Sequence, residues 1–137
     1  MVGTYQGFTM SVRAWRVAYE LHLEADSRAY LRVDRGGAVS EERGSWTRHD
    51  RFIVLELHPV ASDVLQLERA GLSVEDVERI CRARVAVPGA DGLSLFDEIL
   101  RPCGEMGDPQ DVVRLSVGPP VTLTRSAATR DEGAKSP

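Results

Sequence analysis

The sequence predicts an α+β domain: an N-terminal antiparallel β-meander of about three strands, two or three helices packed on one sheet face, and one or two short C-terminal strands. Three observations carry that prediction. Residues 17–24 and 28–34 alternate apolar and polar side chains with the period of a half-buried strand. The run Phe52, Ile53, Val54, Leu55 is apolar on both faces, as in a central, covered strand. Further on, Ser73 with Asp76 three residues later reads as a helix start, with Gly71 closing an earlier helix. Strands and helices segregated along the chain belong to the α+β class.

At 137 residues the chain has the length of one domain with an ordinary core. The domain is expected over 1–124, with a polar, disordered tail over 125–137.

The first elements follow from their apolar phase. Phe8, Met10, Val12 and Ala14 alternate with polar residues, and the phase slips by one at Trp15. With no Gly or Pro between Phe8 and Leu23, a bulge near 14–16 fits better than a tight turn, and better than a helix over 12–23. A hairpin about Ala25, Asp26 and Ser27 then has one register that keeps both apolar sets together: Leu23 with Ala29, Leu21 with Leu31, Tyr19 with Val33. The same register sets Glu24 opposite Arg28, His22 opposite Tyr30 and Glu20 opposite Arg32. Charge complementarity thus emerges from a register chosen on hydrophobicity alone.

Residues 35–45, with Gly36, Gly37 and Gly44, read as a loop, and 46–58 as a third strand ended by Pro59. A short helix is expected over 62–70. A second runs from the Ser73 cap through Arg84, with Val74, Val77, Ile80 and Cys81 as its buried stripe. A third spans 93–100, burying Leu93, Phe96, Ile99 and Leu100 before Pro102. Alternation at Val113, Leu115 and Val117 predicts a last strand over 112–117.

Composition narrows the function classes. The net charge is −4, and six carboxylates between 91 and 111 face Arg101 alone. That acidic segment repels nucleic acid and anionic lipid and would steer a basic partner. No apolar run has the length of a membrane span, and no basic-then-apolar leader opens the chain, so a cytoplasmic setting is expected. Cys81 and Cys103 are then expected as reduced thiols, with Cys81 in the core. Sixteen arginines to one lysine read as a codon habit.

The candidate surface is the polar stripe Glu20, His22 and Glu24, beside Tyr30 and Arg32. A histidine among carboxylates could exchange protons or hold a metal. Side chains two apart on a flat strand do not close a coordination shell, however, and the glutamates already have arginine partners. No catalytic residue, cofactor or metal is therefore assigned. His49 and Asp50 are adjacent and point to opposite faces, so they are not a catalytic pair. GxxxxGK[ST], GxGxxG, CxxC, HExxH and GxSxG are all missing from the sequence.

The function expected is a small acidic, non-enzymatic binding module acting through a protein partner with a basic surface, of the adaptor or immunity kind. Its contact residues would be Glu20, His22, Glu24, Tyr30 and Arg32, with Asp97, Glu98, Asp108 and Asp111 from the acidic segment. The alternative is a ligand-binding protein or enzyme whose pocket is lined by the seven aromatics of the first 52 residues, with polar groups around His22. A third reading takes 67–84 as a degenerate helix-turn-helix. Its recognition helix would present Glu75, Asp76 and Glu78, the wrong chemistry for DNA.

Overall fold

A computed structural model describes residues 2–10, 16–60, 69, 71, 79–90, 92–105, 107–116 and 119–126. The hairpin stands in the register the apolar pattern demands. β2 (Arg16–Leu23) and β3 (Arg28–Arg35) pair with Leu23 opposite Ala29, Leu21 opposite Leu31 and Tyr19 opposite Val33. Its loop closes through Glu24 N–H to Arg28 O at 2.9 Å, with Ser27 left-handed at φ 70°.

The α+β expectation is overturned: the described residues are mostly strand and form a closed eight-stranded antiparallel barrel, with one short helix described from end to end. β1 (Gly3–Met10) precedes the hairpin; β4 (Ala38–His49), β5 (Phe52–Pro59), β6 (Ile80–Pro88), β7 (Gly92–Leu95) and β9 (Val121–Arg125) follow it. From β1 to β7 strands adjacent in sequence are adjacent in space, and β9 lies between β7 and β1, with Tyr5 opposite Arg125. β8 (Ile99–Pro102) is a side flap sharing an edge of β6 with β7: β7 takes Ala86 to Pro88, β8 takes Ile80 to Ala83. The helix, α1 (Pro109–Leu115), packs against β6.

Each departure from expectation has a local cause. The expected bulge near 14–16 gives way to separate antiparallel strands, with Met10 opposite Arg16; residues 11–15 lie outside those described. The expected loop over 35–45 is mostly β4. Gly36 and Gly37, at φ 64° and 100°, form a two-residue turn whose twist suits a hairpin. The expected strand over 46–58 is divided between β4 and β5, because Asp50 at φ 57° turns the chain. The expected helix over 93–100 is replaced by β7 and β8. Leu93 and Leu95, two apart as in a strand, are the buried pair, whereas Leu100 of the expected helical stripe is exposed. The expected strand over 112–117 is α1 instead. Asp108 accepts from Gln110 N–H at 3.0 Å and Pro109 opens the helix, a start signal that outranks the alternation. The expected helix over 62–70 and the first part of the one from Ser73 fall almost wholly outside the described residues. Its last part is corrected, since β6 begins at Ile80. The boundary expected at 125 also moves: Arg125 belongs to β9 and Ser126 N–H reaches Thr4 O at 2.7 Å, while 127–137 lie outside the described residues. Among the described residues no helix is long and apolar enough to cross a membrane.

The described interior is filled. Tyr5, Leu21, Leu23, Leu31, Val33, Ile53, Leu55, Leu57, Leu93, Leu95 and Leu123 belong to one buried cluster, with Tyr19, Trp46 and Val121 packed against it. Eight strands enclose a space that side chains just fill. Closing so narrow a barrel bends the strands sharply, and glycine marks the tightest approaches. A Cβ on Gly44 would stand 1.9 Å from Glu56 O, and one on Gly7 would stand 2.2 Å from Thr122 O.

Four charged side chains interrupt this interior. Glu42, opposite Leu31, is 2% exposed, and Arg84, opposite Leu55, is 4% exposed. Arg82 bridges Glu42 at 2.7 Å and Glu98 at 3.7 Å; Arg84 lies 4.0 Å from Glu98 and donates to Phe96 O at 3.3 Å. Burial raises the Glu42 carboxyl above its ordinary 4.5, with the Arg82 hydrogen bond opposing it only in part.

Two outcomes are expected. Gly44→Ala should destabilise the fold by about 2 kcal/mol in urea denaturation, since the clash is with backbone, while Ser45→Ala should change little. A carboxyl whose folded value is raised stabilises most below its ordinary value, and that contribution fades as pH rises through the raised one. The stability of the native chain relative to Glu42→Gln should therefore decline as pH climbs from about 4.5. A difference that stays flat between acid and neutral pH would contradict this account of Glu42.

Candidate functional site

Because β2 and β3 bury their leucines, their alternate residues all project outward, and the neighbouring strands continue the pattern. One row crosses the outer face from β1 to β5: Thr4 opposite His22, His22 opposite Tyr30, Tyr30 opposite Arg43, Arg43 opposite His58. The next row sets Gln6 opposite Glu20, Glu20 opposite Arg32, and Arg32 opposite Glu41.

The polar groups in these rows are tied to each other. His22 has Thr4 Oγ1 at 3.0 Å from Nδ1 and Glu20 Oε2 at 2.8 Å from Nε2, so both ring nitrogens are engaged. Gln6 donates to the other Glu20 oxygen at 3.0 Å. The hydrogen bond from His22 is the main reason the Glu20 carboxyl sits below its ordinary range, against a smaller opposing effect of burial. Tyr30 donates its hydroxyl to Glu41, packs its ring 5.4 Å from that of His22, and lies under the Arg43 guanidinium. Burial, and then the Glu41 carboxylate, push the Tyr30 phenol up to about 12.

Beside these rows the outer face of β3, β2, β1 and β9 forms an open groove of about 640 Å³, lined by Phe8, Ala18, Glu20, Arg32 and Thr124 among others. Phe8 and Met10, expected on a buried face, are each 57% exposed on the outside of β1. The Arg16 guanidinium stacks on Phe8 at 4.0 Å. Arg125, also at the groove, donates to Val2 O at 2.7 Å.

Of the residues the sequence marks, Glu20, His22, Tyr30 and Arg32 come together here. Glu24 lies at the hairpin end with Arg28 at 3.3 Å, on a smaller groove of about 330 Å³ shared with His22, Tyr30 and Arg43. The acidic residues are elsewhere. Glu98 turns toward Arg82 and Arg84, Asp108 caps α1, Asp111 pairs with Arg114, and Asp97 accepts from Glu98 N–H. α1 covers β6, which is four strands from β2 in either direction around the barrel. The stripe and the α1 end of the acidic segment therefore occupy opposite sides of the molecule. The described aromatics are likewise dispersed: Tyr5 is buried, Tyr19 and Trp46 pack against the core, and Phe8 points out, while Trp15 lies outside the described residues.

The cysteines are a correction. Cys81 and Cys103 are joined by a disulfide rather than standing as reduced thiols. Cys81 points outward from β6, and β8 returns Cys103 beside it. His58 Nε2 lies 3.5 Å from Cys81 Sγ and 3.2 Å from Cys103 Sγ.

No protein-family model, curated protein or solved structure matches this chain.

Sequence reading missed Thr4, Gln6, Glu41 and Arg43, because their strands were read as unpaired or as loop. The signal was available for β4: Glu41, Arg43, Ser45 and Thr47 alternate directly after Gly36-Gly37. The raised phenol supplies a check. On alkaline titration followed at 295 nm, one tyrosine should ionise near pH 12, and that step should be missing in Tyr30→Phe. Folding favours the protonated phenol, so its contribution to stability holds below the ordinary 10.0 and is lost as pH rises through about 12. Glu41→Gln should bring the Tyr30 step down.

Proposed function

We propose that the protein is a non-enzymatic binding module that engages a protein partner through the outer face of β1, β2, β3 and β9. The observation that carries this reading is the exposure of Phe8 and Met10 on the outside of a barrel whose described interior is already full. Large apolar side chains held in water beside an open groove are the anchors on which interfaces are built.

The surrounding chemistry indicates the partner. Arg16, Arg32 and Arg125 line the groove against Glu20 alone, and Glu20 is already taken up by His22 and Gln6. A segment that brings carboxylates to Arg32 and an apolar side chain to Phe8 fits this face. The basic partner expected from the acidic segment fits it less well, since Glu98, Asp108 and Asp111 have partners within the fold.

Two features favour binding over turnover. The Thr4 hydroxyl facing His22 Nδ1 is itself buried, and the Tyr30 phenol is pushed up to about 12, so neither hydroxyl is presented as an open reacting group. Among the described residues, the sites offered to a small-molecule ligand on this side are open grooves. We place the protein's activity in the cytoplasm, where the Cys81–Cys103 bond would stand reduced.

The test is affinity capture from the native host's lysate with the parent chain, with Phe8→Ser/Arg32→Glu, and with Asp97→Asn/Asp108→Asn. A stoichiometric protein retained by the parent and the acidic-segment variant, but lost with the groove variant, is the expected result. Retention by the groove variant would overturn the assignment of this face.

A further inference from the structure

We propose that His58, Cys81 and Cys103 form a redox-gated zinc site: a disulfide when oxidised, and a two-thiolate, one-imidazole ligand set when reduced. This goes beyond the docking face and does not depend on it.

The three ligand atoms lie within 4.8 Å of one another. They come from three separate parts of the fold. β5 supplies His58 and β6 supplies Cys81, both on the outer face of the barrel, and the turn after β8 supplies Cys103. A tetrahedral zinc with Zn–S of about 2.3 Å and Zn–N of about 2.0 Å has N···S edges of about 3.5 Å and an S···S edge of about 3.8 Å. The two N···S separations, 3.5 and 3.2 Å, already approach that geometry. Only the sulfur–sulfur separation has to open, and cleaving the bond allows it.

The surroundings assign different roles to the two sulfurs. Cys81 is buried in the β6 face with Ala83 and Val85, so it is the fixed ligand. Cys103 is half-buried and followed by Gly104 at φ +81°, where the chain turns back with Glu105 N–H on Pro102 O at 3.0 Å. Its position is set by two tethers: Cys103 N–H to Arg79 O at 2.9 Å, and Gly104 N–H to Glu56 Oε2 at 2.7 Å. Such outer contacts orient a ligand without binding the metal. A bond that served only to staple β8 to β6 has no need of an imidazole against both sulfurs; a metal site does.

The chemistry balances in two steps. A dithiol reductant transfers two electrons and two protons, the Cys81–Cys103 bond breaks into two thiols, and the dithiol closes to its own disulfide. One Zn²⁺ then binds both sulfurs as thiolates and the His58 imidazole, and two protons leave to solvent. Three protein ligands leave a fourth position for water. Soft sulfur with imidazole selects zinc-like ions over magnesium or calcium.

The full chain, reduced with a phosphine under argon, would be titrated with Co²⁺ as the spectroscopic probe. One equivalent with intense tetrahedral d–d bands and a thiolate charge-transfer band is expected, discharged by one equivalent of Zn²⁺. The oxidised chain should give neither band. His58→Ala should weaken binding by more than about tenfold, since even an outer partner of a ligand acts in that range. Cys103→Ser should remove most of the charge-transfer intensity. Far-ultraviolet circular dichroism on each sample, and His58→Asn as a milder variant, separate loss of ligand from loss of fold. A reduced, folded chain that binds no Co²⁺, or folded His58 variants that bind it as tightly as the parent, would overturn the site.

Discussion

Closure is the constraint on which the rest of this molecule depends. β9 reaches β1 through a short register, Tyr5 opposite Arg125 and Gln6 opposite Thr124, extended by Ser126 N–H on Thr4 O and Arg125 on Val2 O. Once that seam forms, each of the eight barrel strands has a neighbour on both sides and the sheet has an inside. The alternation along β2 and β3 becomes a division into a dry interior and a wet exterior. The cost falls at the bends, where Gly7 and Gly44 accept backbone contacts that any side chain would block.

The inside was legible in the sequence only where one element and its immediate neighbour carried the whole signal. β2 and β3 are joined by a short loop and share one apolar face, so hydrophobicity alone chose their register. Elsewhere the deciding partner is distant. Leu93 is a strand residue because β9 lies beside it with Leu123 opposite, and local spacing at Leu93, Phe96, Ile99 and Leu100 suits a helix equally well. Gly36-Gly37 carried the right signal in physical terms, but a glycine pair marks a loop and a hairpin alike until the strand after it is recognised. Phe8 and Met10 misled for a different reason. Gly7 must face inward at a tight approach, which sends the large apolar residue beside it outward.

The candidate surface was legible to the same depth. Glu20, His22, Tyr30 and Arg32 share a face by the period of two, and that much needs no tertiary information. Thr4, Gln6, Glu41 and Arg43 join them only through the pairing of β1 and β4. The acidic segment shows the opposite limit. A run of carboxylates in sequence looks like a patch, yet Glu98 faces the interior arginines, Asp108 caps a helix terminus and Asp111 closes a local ion pair. Part of that charge meets partners within the fold, while Asp97, Glu105 and Asp108 stand exposed.

The interior arginines carry the same logic one step further. Arg82 and Arg84 sit on the inward face of β6, while Cys81, Ala83 and Val85 sit on its outward face beneath or beside α1. This inverts the usual arrangement, in which the inward set is apolar and the outward set polar. β6 therefore has two buried sides, one charged and one apolar, and depends on compensation for both: Glu42 and Glu98 on the inside, Val112 and the cysteine bridge on the outside. Removing one partner of a buried pair leaves a charge that the barrel cannot hydrate, a penalty of about 3 kcal/mol or more. The strand with least freedom to change its residues is thus also the one that holds Cys81. A thiol presented from so constrained a strand keeps its position whether bonded, reduced or bound to metal, and movement on reduction falls to Cys103 and the turn after β8.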